Sequence, residues 1–355
     1  MRQGTARSRI TITHHGSRIT ITKPTQIIQT TPLFLPDPLP EQLALPLLGV
    51  PVVLRSNATA VITVAAQALA VWRTLPLAFV AAAPPAAFAI IVHPPNPDAP
   101  DQAPTGAWVV RSYGDTFLAA QDSNLLTAHL ATRSATAFVT PALVADTPHL
   151  RDHVIERLGF LLASAHDRTP IAAAGVVHNG CAVLLVGANP TTKALLSYAC
   201  LQVGFSLLAA TTVYVSLADG LRVWGHPGHL QLPPDAPRFF PELAALAPVG
   251  PKQPFTLDSA THWPAQQATH ANRVLVCLLE PDDAQASRLT PLPRAEAVAA
   301  LHATPSPELA LLRARLPAAL AALTTQGTYR LHVGADPHSA AALLTHLLAH
   351  RVDVG

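Results

Sequence analysis

Apolar and polar residues alternate with a period of two at the start of the chain. Residues 8–13 and 17–22 are the same hexamer, Ser-Arg-Ile-Thr-Ile-Thr, separated by His14-His15-Gly16. This is strand periodicity, so a small hairpin is one reading and a solvated basic arm the other. Prolines crowd residues 32–42, which read as an extended linker. Residues 49–54 read as a strand and 58–72 as a helix capped by Asn57. Pro and Asp crowd 94–106, an exposed loop. Strands are predicted at 108–112 and 116–120, joined across Gly114-Asp115, and at 135–139. At 147 the period becomes helical. Thr147 is placed as N-cap and Pro148 at the first position, with Leu150, Val154, Leu158, Leu161 and Leu162 on one face.

From there strand and helix alternate. Cys181–Val186 is continuously apolar, as a strand covered on both faces requires. Residues 207–217 read as one strand, turned by Asp219-Gly220 into 221–224. Residues 273–279 are another buried strand, and Thr328–Val333 is the last. Helices are predicted at 294–302, 307–323 and 337–350, with Pro317 kinking or splitting the second. The pattern predicts an α/β fold with a mixed sheet. The regions are a basic arm and linker (1–42), a smaller α+β N-terminal domain (43–146) and a larger α/β domain (147–355).

Composition narrows the function classes. Half of the 355 residues are apolar and 12% are charged, enough apolar material for a sizeable core. The 23 basic residues nearly cancel the 21 acidic ones, which excludes a strongly basic nucleic-acid surface. Residues 74–93 and 194–218 carry no charge. Pro76, Pro84 and Pro85 argue against a membrane helix in the first, and the second reads as helix then strand. Residues 1–30 lack the apolar run of a secretory signal. The expectation is a soluble, cytoplasmic protein with no membrane partner. Cys181, Cys200 and Cys277 are too few for a disulfide framework and fit buried thiols. The pairs His149/His153, His226/His229 and His346/His350 lack acidic or cysteine partners at metal-site spacing, and read as exposed or capping.

The strand Cys181–Val186 runs into Gly187-Ala188-Asn189-Pro190-Thr191-Thr192-Lys193-Ala194. Gly187 and Lys193 have the spacing of a phosphate-binding P-loop, in which backbone N–H groups cradle phosphate and the lysine neutralises charge. The glycine expected before the lysine is Thr192, and the Mg²⁺-holding hydroxyl expected after it is Ala194. Pro190 removes one N–H donor. Candidate phosphate contacts are Gly187, Asn189, Thr191, Thr192 and Lys193.

With these surroundings the chain resembles the HPr serine kinase family and its kinase-related proteins. The register runs without gaps over 172–211, through Ala182-Val183-Leu184-Leu185, Gly187, Lys193, Gly204 and Leu207-Leu208. It continues more loosely through Asp219-Gly220-Leu221-Arg222-Val223-Trp224-Gly225, Phe240-Pro241-Glu242-Leu243 and Tyr329-Arg330-Leu331. The resemblance covers most of 45–350 and is specific only at the P-loop segment. It implies a P-loop core like that of phosphoenolpyruvate carboxykinase, in the 147–355 domain. It also implies that the family's chemistry is missing. The family's His stands at Ala172, its Mg-binding Ser at Ala194, and its two Asp at Ala210 and Thr211. The expected function is a degenerate kinase, a binding or regulatory module toward a protein or peptide. It would retain ATP or ADP binding through Lys193, without Mg²⁺ and with no metal ligands. Two alternatives stay open. One is an atypical active ATP-dependent serine kinase using acids such as Asp219 or Asp235; the other is a structural subunit with an empty loop. Homo-oligomerisation is also open. His178 lies six residues past the lost His and is a poor replacement.

Overall fold

The computed structural model describes residues 11–14, 17–20, 39–94, 104–246, 253–282, 286–302, 312 and 314–352. The chain forms two units, Met1–Pro38 and Leu39–Gly355. In the first, β1 (Thr11–His14) and β2 (Ser17–Thr20) pair antiparallel, with Thr11 opposite Thr20 and His14 opposite Ser17. The repeat therefore makes a hairpin. The arm's basic residues Arg2, Arg7, Arg9 and Lys23, and most of 94–106, lie outside the described residues.

The second unit is mixed α/β. Its N-terminal part is a seven-stranded sheet. In chain order the strands are β3 (Glu41–Leu47), β4 (Val50–Ser56), β5 (Ala86–Val92), β6 (Val109–Tyr113), β7 (Thr116–Gln121), β8 (Asn124–His129) and β9 (Ser134–Val139). They are arranged β3-β4-β5-β9-β8-β7-β6. The neighbours β4-β5 and β5-β9 run parallel and the others antiparallel. β3 begins inside the stretch expected as linker. Its one proline, Pro46, is tolerated because β3 is an edge strand. α1 (Thr59–Ala68) makes the β4–β5 crossover and has no side-chain cap. Asn57 does not cap it. Its amide donates to the Val92 carbonyl (2.9 Å) and accepts from the Val92 N–H (2.8 Å), lengthening the sheet ladder.

α2 (Pro141–Ala145) and α3 (Thr147–Leu150) follow. The cap of α3 is Asp146, whose Oδ1 accepts from the His149 N–H at 3.2 Å, so Thr147 is already helical. One π turn (Arg151–Ile155) joins α3 to α4 (Glu156–Ala165). The predicted apolar face is buried throughout: Leu150, Val154, Leu158, Leu161 and Leu162. It packs into the core of the seven-stranded sheet rather than into the C-terminal sheets.

The C-terminal part begins with β10 (Thr169–Ala172), β11 (Ala174–His178), β12 (Cys181–Val186), α5 (Pro190–Gln202), β13 (Ser206–Ala209), β14 (Thr212–Ser216) and β15 (Arg222–Gly225). It continues with β16 (His229–Leu232), β17 (Phe255–Asp258), α6 (Ser259–His262), β18 (His270–Ala271) and β19 (Arg273–Pro281). Then come β20 (Arg288–Pro291), α7 (Arg294–His302), α8 (Leu316–Leu323), β21 (Thr328–Val333) and α9 (Pro337–Val352). A mixed six-stranded sheet runs β13-β11-β12-β19-β21-β20, and an antiparallel four-stranded sheet runs β10-β14-β15-β18. The strand expected over 207–217 is thus two strands in different sheets, broken at Ala210-Thr211. Pro317 stands in the first turn of α8, which its fixed φ suits; residues 303–311 and 313, most of the helix expected before it, lie outside the described residues.

β12 is buried on both faces. Val183 and Leu185 pack with α5 and α9, while Ala182, Leu184 and Val186 face the four-stranded sheet and α8. The Asn179-Gly180 turn before it has positive φ at both residues, as a two-residue hairpin requires. Trp224 of β15 is fully buried in the first core, beside Trp72. Gly49 lets it in: at φ +72 a Cβ there would lie 2.5 Å from the Trp224 ring. No described helix is long and apolar enough to cross a membrane.

Candidate functional site

β12 delivers the chain to Gly187, and α5 begins at Pro190, only three residues later. The phosphate loop expected over 187–194 is therefore mostly helix. Asn189 and Pro190 are the reason, a strong N-cap followed by a proline at the first helical position. The Asn189 Oδ1 accepts from the N–H groups of Thr191 (2.9 Å) and Thr192 (3.4 Å). These amides are the donors a P-loop would offer to phosphate. Gly187 has a packing role, since a Cβ there would lie 3.3 Å from the Leu279 carbonyl oxygen of β19.

Lys193 sits in the first turn of α5, half-buried. Burial alone holds its ammonium below the usual lysine range. Among the described residues its ammonium makes no ion pair or hydrogen bond. It lines a cavity of about 590 Å³, together with Thr191, Ala194, Ala210 and Thr211. Three of the four positions that the resemblance assigns to the family's chemistry, Ala194, Ala210 and Thr211, thus line one space with the lysine. Ala172 ends β10 opposite Thr212 and does not line the cavity. Gly187, Asn189 and Thr192 are also outside the lining.

Another wall of the cavity was not anticipated from the sequence. It carries Asp152 and Glu156, from the π turn and the start of α4, and His226 and His229, which flank Pro227-Gly228. His226 and His229 are largely buried in this wall, so they are not the exposed pair expected. Trp72 Nε1 donates to His226 Nδ1 at 3.3 Å, which places the neutral ring's proton on Nε2. That nitrogen lies 3.4 Å from Glu156 Oε1. Arg151 Nε lies 3.6 Å from the same oxygen and 2.8 Å from Asp152 Oδ1. Burial works to raise the Glu156 carboxyl, but His226, Arg151 and His229 outweigh it and hold it below the usual range. His229 Nε2 is 3.9 Å from Asp152 Oδ1, and neither of its buried ring nitrogens has a hydrogen bond. Burial, then Arg151, lowers its pKa. A second cavity of about 560 Å³ lies against the same segment and shares Glu156, His226 and His229. The acids Asp152 and Glu156, set beside the apolar face of the same segment, were the available signal for this wall.

The other candidates lie elsewhere. Asp219 and Asp235 are exposed and outside the cavity. His178 is half-buried against Phe205. His149 is part-buried and bonded to Trp108 Nε1 (3.1 Å) and Gln121 Oε1 (2.8 Å), so it is not an exposed histidine. His346 and His350 are exposed on α9. The three cysteines are free and buried. Among the described residues no group of three or more His, Cys, Asp or Glu is placed to hold a metal ion.

No protein-family model matches the chain, and no curated protein does. Among solved structures, the HPr(Ser) kinase/phosphatase from Coxiella burnetii matches 52% of this chain and 92% of that one. The identity is 11% and the TM-score 0.30, too distant to bear on fold or activity.

Proposed function

We propose that the chain is a catalytically degenerate relative of the HPr kinase-like proteins, with a modified P-loop core of the phosphoenolpyruvate carboxykinase kind. It binds a phosphate-bearing ligand, ATP or ADP, at Lys193 and acts as a binding or regulatory module toward a protein or peptide. The observation that carries this reading is Lys193 itself, a half-buried ammonium with no ion-pair partner among the described residues, facing a cavity large enough for a small molecule. Burying an unpaired charge is costly, and an anionic ligand offsets that cost. With the Thr191 and Thr192 amides taken by Asn189, the lysine carries most of the attraction.

Phosphoryl transfer works by positioning and by metal-held charge. Ala194, Ala210 and Thr211 offer no carboxylate for either task. A missing general base alone removes roughly 10²–10⁴ in rate. The second reading, an atypical active serine kinase, draws on Asp152 and Glu156, the acids in the same cavity. Against it, Arg151 and His226 already engage them. ADP release and ATP binding, each measured with and without Mg²⁺, separate the readings. Binding without turnover supports the degenerate kinase. Mg²⁺-dependent turnover lost in Asp152→Asn overturns it in favour of the active enzyme. No binding at millimolar nucleotide leaves a structural subunit with an empty loop.

A further inference from the structure

A third cavity, of about 500 Å³, lies away from Lys193, where the turn between β8 and β9 meets the end of α4 and the start of α8. Among the described residues its charged lining is Arg133, Arg315, His166 and Asp115. Arg315 is fixed: its Nη1 donates to the Ser164 carbonyl (3.1 Å) and its Nη2 to that of Ala165 (3.2 Å), closing the C-terminus of α4. His166 is the residue that ends α4, and its Nε2 is buried with no hydrogen-bond partner. The Arg133 guanidinium has no ion pair or hydrogen bond among the described residues. Arg133 also sits at φ +51, a left-handed conformation that costs a non-glycine residue roughly 1 kcal/mol. A polar turn at this position needs no arginine.

An unpaired guanidinium, a second one held rigid, and an orphaned imidazole nitrogen line one space. Guanidinium groups recognise phosphate oxygens through paired N–H donors. We propose that the cavity formed by Arg133, His166 and Arg315 is a binding site for the phosphate group of a phosphate monoester. Asp115, the carboxylate of the lining, is the acceptor left for a hydroxyl on the same ligand. The site shares no residue with the Lys193 cavity and does not depend on what that cavity binds.

Burial, then Arg133 and Arg168, lowers the His166 pKa, with Arg315 adding to it and Asp167 opposing it. A bound dianion reverses the sign of that field. The test is the His166 imidazole titration by NMR in the full-length Lys193→Ala protein, with and without glycerol 3-phosphate. The titration midpoint is expected to rise when the ligand is present, and Arg133→Gln to weaken the apparent affinity about tenfold or more. Arg133→Lys, which keeps the charge and loses the fork, is expected to fall between the two. A His166 midpoint unmoved at about 10 mM glycerol 3-phosphate, where even weak binding registers, overturns the proposal. So does an affinity unchanged in Arg133→Gln. Should Arg133→Gln fail to fold, the first comparison still decides, because it leaves Arg133 intact.

Discussion

Replacing Glu156 by Gln tests the charged wall of the main cavity. The Glu156, Arg151 and His226 side chains are 18%, 17% and 9% exposed, so solvent screens them little. At 3.6 Å, the Arg151 attraction is about 5 kcal/mol at an effective dielectric of about 20. Desolvation cancels much of it. The direction of the net effect comes from the Glu156 pKa, which is lowered despite burial, so attraction wins and the ionised form stabilises the fold. Losing a charged partner of this kind costs about 2 kcal/mol, or roughly 3 °C in melting temperature for a protein of this size. Because the folded pKa lies below the ordinary 4.5, the stabilisation is complete above that pH. It is lost as pH falls through the folded value. Thermal unfolding followed by circular dichroism should therefore show the full gap between wild type and Glu156→Gln at neutral pH, and a shrinking gap in acid. Equal melting temperatures at neutral pH, or a gap that widens in acid, would mean that the ionised carboxylate does not stabilise the fold.

Three further outcomes are expected. Asn189→Gly, which removes the cap but suits its position, should cost only a few tenths of a kcal/mol and free the Thr191 and Thr192 amides. Nucleotide affinity measured by calorimetry should then rise, and an unchanged value contradicts the view that Asn189 occupies the phosphate donors. Gly49→Ala combines a left-handed φ with a clash against Trp224 and the Phe79 carbonyl. It should lose about 2–4 kcal/mol of stability in urea unfolding, and a loss under about 0.5 kcal/mol counts against the Trp224 anchor. Burial holds the pKa of His153, His166, His229 and His270 below the usual 6.5. The unfolded chain binds protons first as pH falls, so urea-measured stability should drop from about pH 6.5 downward. A stability that is flat between about pH 5 and 7 would contradict this.

The elements legible in the sequence are those whose apolar pattern and punctuation agree. Cys181–Val186 is an unbroken apolar run, and α7 and α9 carry helical spacing. Elements decided by partners elsewhere were not legible. β3 is masked by the prolines that precede it and by its own Pro46, which an edge position forgives. Asn57 has the chemistry of a cap, yet Val92, brought alongside by β5, takes both ends of its amide. The 207–217 run is uncharged from end to end, so its two strands, which belong to two sheets, read as one. At the site, the Gly187–Lys193 spacing suggests a loop, whereas Asn189-Pro190 starts a helix within it. Asp152 and Glu156 are remote in sequence from Lys193, and only tertiary contacts such as Phe160 on Tyr214 and His226 bring their segment to the same cavity.

On the proposed reading, Lys193 still holds a phosphate group in a site without metal-dependent chemistry. Calorimetric titration of ATP into wild type and Lys193→Ala, each with and without Mg²⁺, tests it most directly. Wild type is expected to bind ATP equally well with and without Mg²⁺, and Lys193→Ala to bind about tenfold or more weakly through loss of a charged contact. Equal binding by the two proteins, or no binding by wild type at millimolar ATP, would contradict that role for Lys193.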